Sequence, residues 1–193
     1  RAAEQGLVDA QSNLGLMFAS GRGVSQNAEQ AVNWWRKAAG QGYAPAQTNL
    51  GVMYANGLGV ERDESQAVNW WRAAAERGYA AAQANLGVAY DNGFGVSQDY
   101  LQAVNWYRKA AEQGYAAAQT NLGHMYANGQ GVTQDDVQAF SWFSKAAEQG
   151  FAEAQYNVGL LYANGRGVSQ DIRQALSWYR KAAEQGLADA QAN

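Results

Sequence analysis

His124 is the only histidine in the 193-residue chain, and no cysteine accompanies it. A multi-histidine metal centre, a thiolate zinc site, an iron–sulfur cluster, a disulfide framework and a cysteine nucleophile are therefore excluded. No Ser–His–acid constellation can be nominated, because the sequence neighbours of His124 are apolar, and with no serine followed by lysine three residues later the nucleophile motif of penicillin-recognising enzymes is absent as well. The acidic pairs Asp63-Glu64 and Asp135-Asp136 sit where helices begin, which is explanation enough for carboxylates there. Gly57-Leu58-Gly59 resembles a phosphate loop only superficially, since it follows a helix and lacks Gly-Lys-Ser/Thr. Asp91-Asn92-Gly93 lacks the ligand spacing of a calcium loop. No cofactor and no catalysis are expected. A net charge of −3 argues against nucleic acid or an anionic membrane as partner, and no apolar run approaches the roughly 20 residues of a membrane span.

The elements that carry these residues repeat. Gly6, Gly42, Gly78, Gly114, Gly150 and Gly186 recur every 36 residues, and three further glycine series keep the same period, so that 21 of the 22 glycines are in register. Such self-similarity marks a stacked array in which each unit covers its neighbour's apolar face. The units are 6–41, 42–77, 78–113, 114–149 and 150–185 of a single domain, with a partial sixth at 186–193. Within a unit the pattern predicts two helices. Ala46, Leu50, Met53 and Tyr54 recur at helical spacing over residues 44–56, Pro45 suits a first turn, and Asn56-Gly57 ends the helix. The second helix starts at Asp63 with Gln66 three residues on, a capping box repeated as Asn27/Gln30, Asp99/Gln102, Asp135/Gln138 and Asp171/Gln174. A helical glycine at Gly51 costs about 0.5–1 kcal/mol against alanine, so its recurrence implies a helix crossing there. The aromatics at 18, 54, 90, 126 and 162, and the shared tryptophans Trp34, Trp70, Trp106, Trp142 and Trp178, are read as core rather than as a cofactor box or aromatic cage.

The run from Ala46 to Val60, followed by Gln66-Ala67-Val68-Asn69-Trp70-Trp71-Arg72-Ala73-Ala74, resembles a Sel1-like repeat, a relative of the tetratricopeptide repeat, and the resemblance covers the chain five times over. It implies an all-α fold, a right-handed α/α superhelix whose first helices line a concave face, and an adaptor or scaffold role, mostly in bacteria. It leans to a periplasmic or secreted setting, although absent cysteines fit exported and cytoplasmic proteins alike. This cysteine-free chain departs from a cysteine-rich branch of the family that has been associated with penicillin binding.

Comparison of the units separates fixed from free positions. The free ones on the first helices fall three and four apart, on one face: Thr48 and Val52; Ala84, Val88 and Asp91; Thr120 and His124; Tyr156 and Leu160, with Leu16 extending the aliphatic line. By the family resemblance this face lines the groove. At roughly 10 Å per stacked helix it would run on the order of 50 Å and suit an extended or helical peptide with apolar anchors. It lacks lysine and arginine, so it does not suit a carboxylate clamp. His124 breaks the aliphatic line either as a ligand contact or pH-sensitive element or, the favoured reading, as a tolerated substitution. A competing patch comprises Leu58 and Phe94 in successive Gly-x-Gly loops, with Tyr100 and Leu101 at the next helix start.

The expected function is a non-enzymatic scaffold binding a protein or peptide partner along the groove. The alternatives are a glycan or cell-wall receptor or weak hydrolase, by analogy with the cysteine-rich branch, and a spacer within a longer array. Arg1–Gln5 reads as the tail of a second helix and Gln191-Ala192-Asn193 stops inside a first helix, with no polar capping face at either end. The expectation is an excised piece prone to end-to-end self-association.

Overall fold

The computed structural model describes residues 3–186, so most of the partial sixth repeat expected at 186–193, and the Arg1-Ala2 start, lie outside the described residues. Among the described residues every regular element is an α-helix, ten in all and each 13 residues long. They are α1 (Val8–Ser20), α2 (Ala28–Gly40), α3 (Ala44–Asn56), α4 (Glu64–Glu76), α5 (Ala80–Asn92), α6 (Tyr100–Glu112), α7 (Ala116–Asn128), α8 (Asp136–Glu148), α9 (Ala152–Asn164) and α10 (Ile172–Glu184). The chain divides into two compact units, Arg1–Gln98 with α1–α5 and Asp99–Asn193 with α6–α10. In the first, α1 packs on α2 and α3 on α4, while α2 meets α3 and α4 meets α5. In the second, α7 packs on α8 and α9 on α10, while α6 meets α7 and α8 meets α9.

The core of each pair is made close by small residues. Ala31, Ala67, Ala103, Ala139 and Ala175 are all buried, and with them Leu50, Leu86, Leu122 and Val158. The glycines inside the first helices, Gly15, Gly51, Gly123 and Gly159, face aromatic rings. A Cβ on Gly15 would lie 2.6 Å from the Trp35 indole, and one on Gly51 would collide with the indole of Trp71. Each indole also donates its Nε1–H to a first-helix carbonyl, Trp35 to Ser12 at 3.1 Å and Trp71 to Thr48 at 3.2 Å. Gly123 and Gly159 meet Phe143 and Tyr179 in the same way. The crossing implied by the recurrent glycine is therefore an aromatic of the same repeat's second helix.

Those aromatics are not the shared tryptophans. Trp35, Trp71, Tyr107, Phe143 and Tyr179 are buried, whereas Trp34, Trp70, Trp106, Trp142 and Trp178 are half-buried. The ammonium groups of Lys37, Lys109, Lys145 and Lys181 lie 3.9–4.1 Å over the outer faces of four of these rings. A cation on the ring face accounts for keeping tryptophan, the best partner for such contacts, at the wet edge of the core. Trp70 lacks this cover because Ala73 stands where the other repeats carry lysine.

The second helices are capped as expected, but only from one side. Asn27, Asp63, Asp99 and Asp135 accept from the backbone N–H of Gln30, Gln66, Gln102 and Gln138, and Asp171 accepts from both Arg173 and Gln174. The reciprocal bond from the glutamine side chain is not formed. The cap N–H it would need already donates to the first helix: Asn27 to the Phe18 carbonyl, Asp63 to Tyr54, Asp135 to Tyr126 and Asp171 to Tyr162, at 2.8–3.0 Å. This ties each loop back onto the helix it leaves. The loop also leans on the preceding repeat. The second glycine of the Gly-x-Gly turn, Gly59, Gly95, Gly131 or Gly167, sits against the first-residue carbonyl of an earlier second helix, at Ala28, Glu64, Tyr100 or Asp136, with no room for a Cβ.

A buried glutamine relay joins each helix pair to the one before it. Gln11, Gln47, Gln83, Gln119 and Gln155 donate to the carbonyls of Ala3, Ala39, Ala75, Ala111 and Ala147 at 3.0–3.3 Å. Their own oxygens are satisfied from the end of the second helix, by Gln41 to Gln11, Gln149 to Gln119 and Gln185 to Gln155, at 2.8–2.9 Å. One repeat breaks the relay. Arg77 occupies the donor position, its guanidinium lies beside Gly42, and the Gln47 Oε1 is buried without a partner.

Candidate functional site

In the first unit an apolar cleft of about 460 Å³ opens where α3 and α5 end. Its apolar surface comes from Ala55, Trp71, Val88, Ala89 and Phe94, with Asn56, Asn92 and Arg62 completing the lining. The Phe94 ring, in the Gly-x-Gly loop after α5, stands 6.0 Å from the Trp71 ring and tilted 34° to it. The Arg62 guanidinium lies 6.0 Å from the same Phe94 ring and pairs with Glu64. Asn56 and Asn92 donate to the carbonyls of Val52 and Val88 at 2.8 and 3.0 Å, closing the last turns of α3 and α5. The volume falls within the ~300–1,000 Å³ typical of ligand sites. The lining holds no acid or base pair that could carry proton transfer. It can bury an apolar side chain beside an edge of amides and one guanidinium.

This geometry unites two features that the sequence presents separately, Val88 of the groove face and Phe94 of the loop patch. Val52 is exposed on α3, one turn before the cleft. Asp91 is half-buried on α5. Leu58 is exposed and takes no part in the cleft lining. In the second unit Tyr100 is half-buried and Leu101 exposed on the first turn of α6. Leu160 is half-buried, and Tyr156 packs its ring 5.5 Å from that of Tyr179.

Three expected groove residues lie in the interior instead. Thr48, Ala84 and Thr120 are buried, with the threonine hydroxyls donating back to the Ala44 and Ala116 carbonyls at 2.8 and 3.0 Å. Their position lies against the buried aromatic of the second helix. Thr48 faces Trp71 through its carbonyl, and Tyr156 faces Tyr179 through its ring.

His124 is not among apolar neighbours in space. Its Nε2 lies 3.2 Å from Glu153 Oε1 and 3.3 Å from Asn157 Nδ2, both on α9, and its ring stands edge-on to Phe143 at 4.9 Å. The Asn157 Nδ2 only donates, so an unprotonated Nε2 accepts from Asn157, whereas an Nε2–H donates to Glu153. The contact shows which positions of α7 and α9 face one another. It also exposes a residue that sequence reasoning passed over, the asparagine that recurs as Asn13, Asn49, Asn85, Asn121 and Asn157. Its identity in every repeat was the available signal.

Among the described residues no cluster of three His, Cys, Asp or Glu side chains could hold a metal ion, and no helix is long and apolar enough to cross a membrane.

Comparison with known proteins agrees with this architecture. No curated protein matches the chain. A protective antigen present in uropathogenic Escherichia coli strains, with an SLR fold, is 44% identical and superposes with a TM-score of 0.92 over 99% of the chain. The chain spans only 41% of that antigen's length. A Sel1 repeat protein from Oxalobacter formigenes is 39% identical with a TM-score of 0.90, over 96% of this chain and 74% of that one. An immunity protein from Pseudomonas aeruginosa shares the fold at 24% identity and a TM-score of 0.65, over 95% of this chain and 67% of its own. The Sel1 repeat profile matches five times in succession, at residues 8–43, 44–79, 80–115, 116–151 and 152–187. Proteins built of such repeats generally mediate protein–protein interaction and are generally non-enzymatic. The chain is an all-α repeat solenoid and belongs to the Sel1 repeat family.

Proposed function

We propose that this chain is a non-catalytic interaction scaffold that takes a peptide, or an extended segment of a protein partner, along the surface of its first helices. The observation that carries the reading is the cleft at the ends of α3 and α5. There the exposed Val88 side chain, the Phe94 ring and the Trp71 indole surround space for one apolar anchor. Large side chains of this kind, gathered around a concavity, have the composition of an energetic hot spot. Leu16, Val52 and Val88 carry exposed aliphatic groups at the same register of α1, α3 and α5, which supplies further anchor points along the first unit.

The test is selection of short random peptides on the wild-type protein and on Val88→Glu, with circular dichroism confirming that the variant keeps its helices. A carboxylate placed on the cleft wall would have to be desolvated against an apolar anchor, so peptides captured by wild type are expected to be lost. A wild type that captures nothing, or a variant that captures the same peptides equally well, would overturn the proposal.

A further inference from the structure

Beside the cleft, one loop departs from its counterparts. Four repeats read Ser-Gln or Thr-Gln just before the second-helix cap, ending at Gln26, Gln98, Gln134 and Gln170, whereas the second repeat reads Glu61-Arg62. Each of those glutamines donates its side-chain N–H to the second-last carbonyl of the first helix, at Ala19, Asp91, Ala127 and Ala163, over 2.7–3.0 Å. Arg62 instead pairs with Glu64 and lies 6.0 Å from the Phe94 ring. The matching carbonyl of α3, that of Ala55, therefore lacks the capping amide. No loop N–H replaces it, because Gly57 and Leu58 donate to Met53 and Asp63 donates to Tyr54. Ala55 lines the cleft, so an open acceptor at a helix C-terminus, where the helix dipole is negative, stands on an apolar wall. The neighbouring donors are spent: the Trp71 indole on the Thr48 carbonyl, and one N–H each of Asn56 and Asn92 on Val52 and Val88.

We propose that the anchor taken by this cleft is a tryptophan side chain, its ring among Val88, Phe94 and Trp71 and its N–H donated to the Ala55 carbonyl. This rests on the peptide-binding proposal above and names the group which that site selects. An indole is a large apolar body with a single polar tip, and the tip only donates. Phenylalanine or leucine would cover the Ala55 carbonyl without pairing it, which costs the desolvation of a backbone acceptor. Lysine or arginine would bring a second cation beside Arg62. The protein makes the same contact twice internally, where Trp35 and Trp71 donate to the first-helix carbonyls of Ser12 and Thr48 at 3.1 and 3.2 Å.

The experiment compares peptides captured from the random library on wild type and on Arg62→Gln, which returns the capping amide to Ala55. Peptides that bind wild type and are lost on Val88→Glu are expected to share a tryptophan. Replacing it with 3-benzothienylalanine keeps the ring shape and removes the N–H. That change should weaken Kd about three- to tenfold on wild type, the equivalent of one hydrogen bond. On Arg62→Gln the two peptides should bind alike, with the melting temperature of the variant unchanged or raised. Cleft-dependent peptides that share no tryptophan, equal binding of both peptides by wild type, or the same loss on Arg62→Gln overturns the tryptophan assignment and leaves the peptide reading standing. A wild type that captures no peptide, or only peptides that Val88→Glu binds equally well, overturns both.

Discussion

Replacing Arg77 with glutamine is expected to stabilise the protein, although Arg77 is an exposed residue at a helix end. The cause is Gln47, whose buried Oε1 has no donor, unlike the relay oxygens of Gln11, Gln119 and Gln155. Gln41, Gln149 and Gln185 each supply that donor in their own repeats at 2.8–2.9 Å. A buried acceptor left unpaired costs about 1–3 kcal/mol. Ordering the new glutamine side chain takes back up to ~1.5–2 kcal/mol of that, so a net gain of about 1 kcal/mol is expected. For a chain of this length this is a rise of about 2–4 °C in Tm. Thermal and urea denaturation of Arg77→Gln, Arg77→Ala and Gln47→Leu, with Arg77→Gln repeated in the Gln47→Leu background, isolates the contact. Only the glutamine should stabilise, and its gain should vanish once Gln47 is gone. Equal gains from alanine and glutamine, or a gain that survives in the Gln47→Leu background, would refute the relay as the cause.

Two further changes follow from the same packing. Ala73→Lys places a cation over Trp70 as Lys37, Lys109, Lys145 and Lys181 are placed over their tryptophans, and should add about 0.5–1 kcal/mol in denaturant unfolding. Gly51→Ala should destabilise by about 1–3 kcal/mol despite alanine's better helix propensity, because the Cβ meets the Trp71 indole; Gly40→Ala, where nothing lies within 4 Å, should not, and a thermal melt of both distinguishes crowding from propensity.

The helices were legible because each is punctuated by residues with a single physical role. The helix expected over 44–56 is α3, and it ends where Gly57 adopts a left-handed φ of 65° and donates to the Met53 carbonyl. The Asx caps were equally plain, although the cap N–H groups were already engaged by the first-helix carbonyls, a tertiary fact that no local pattern carries. The candidate surface was less legible. Variation between repeats marks exposure only where neighbours do not vary in concert. Thr48 and Tyr156 occupy one position, yet both lie against buried aromatics of the second helix, Trp71 and Tyr179. Likewise His124 looked isolated because Glu153 and Asn157 reach it from a helix about thirty residues downstream. Val88 and Phe94, taken from two competing patches, proved to line one cleft because the loop after α5 folds back over Trp71.

The central claim is that a partner segment occupies the first-helix face at the end of α5. Its most direct test is site-specific photocrosslinking of a captured peptide, with a benzophenone side chain placed at Val88 or, as a control, at the exposed Asn69 of α4. The account predicts efficient crosslinking from position 88, competed away by unlabelled peptide, and background from position 69. Crosslinking from position 69 but not from 88 would contradict it.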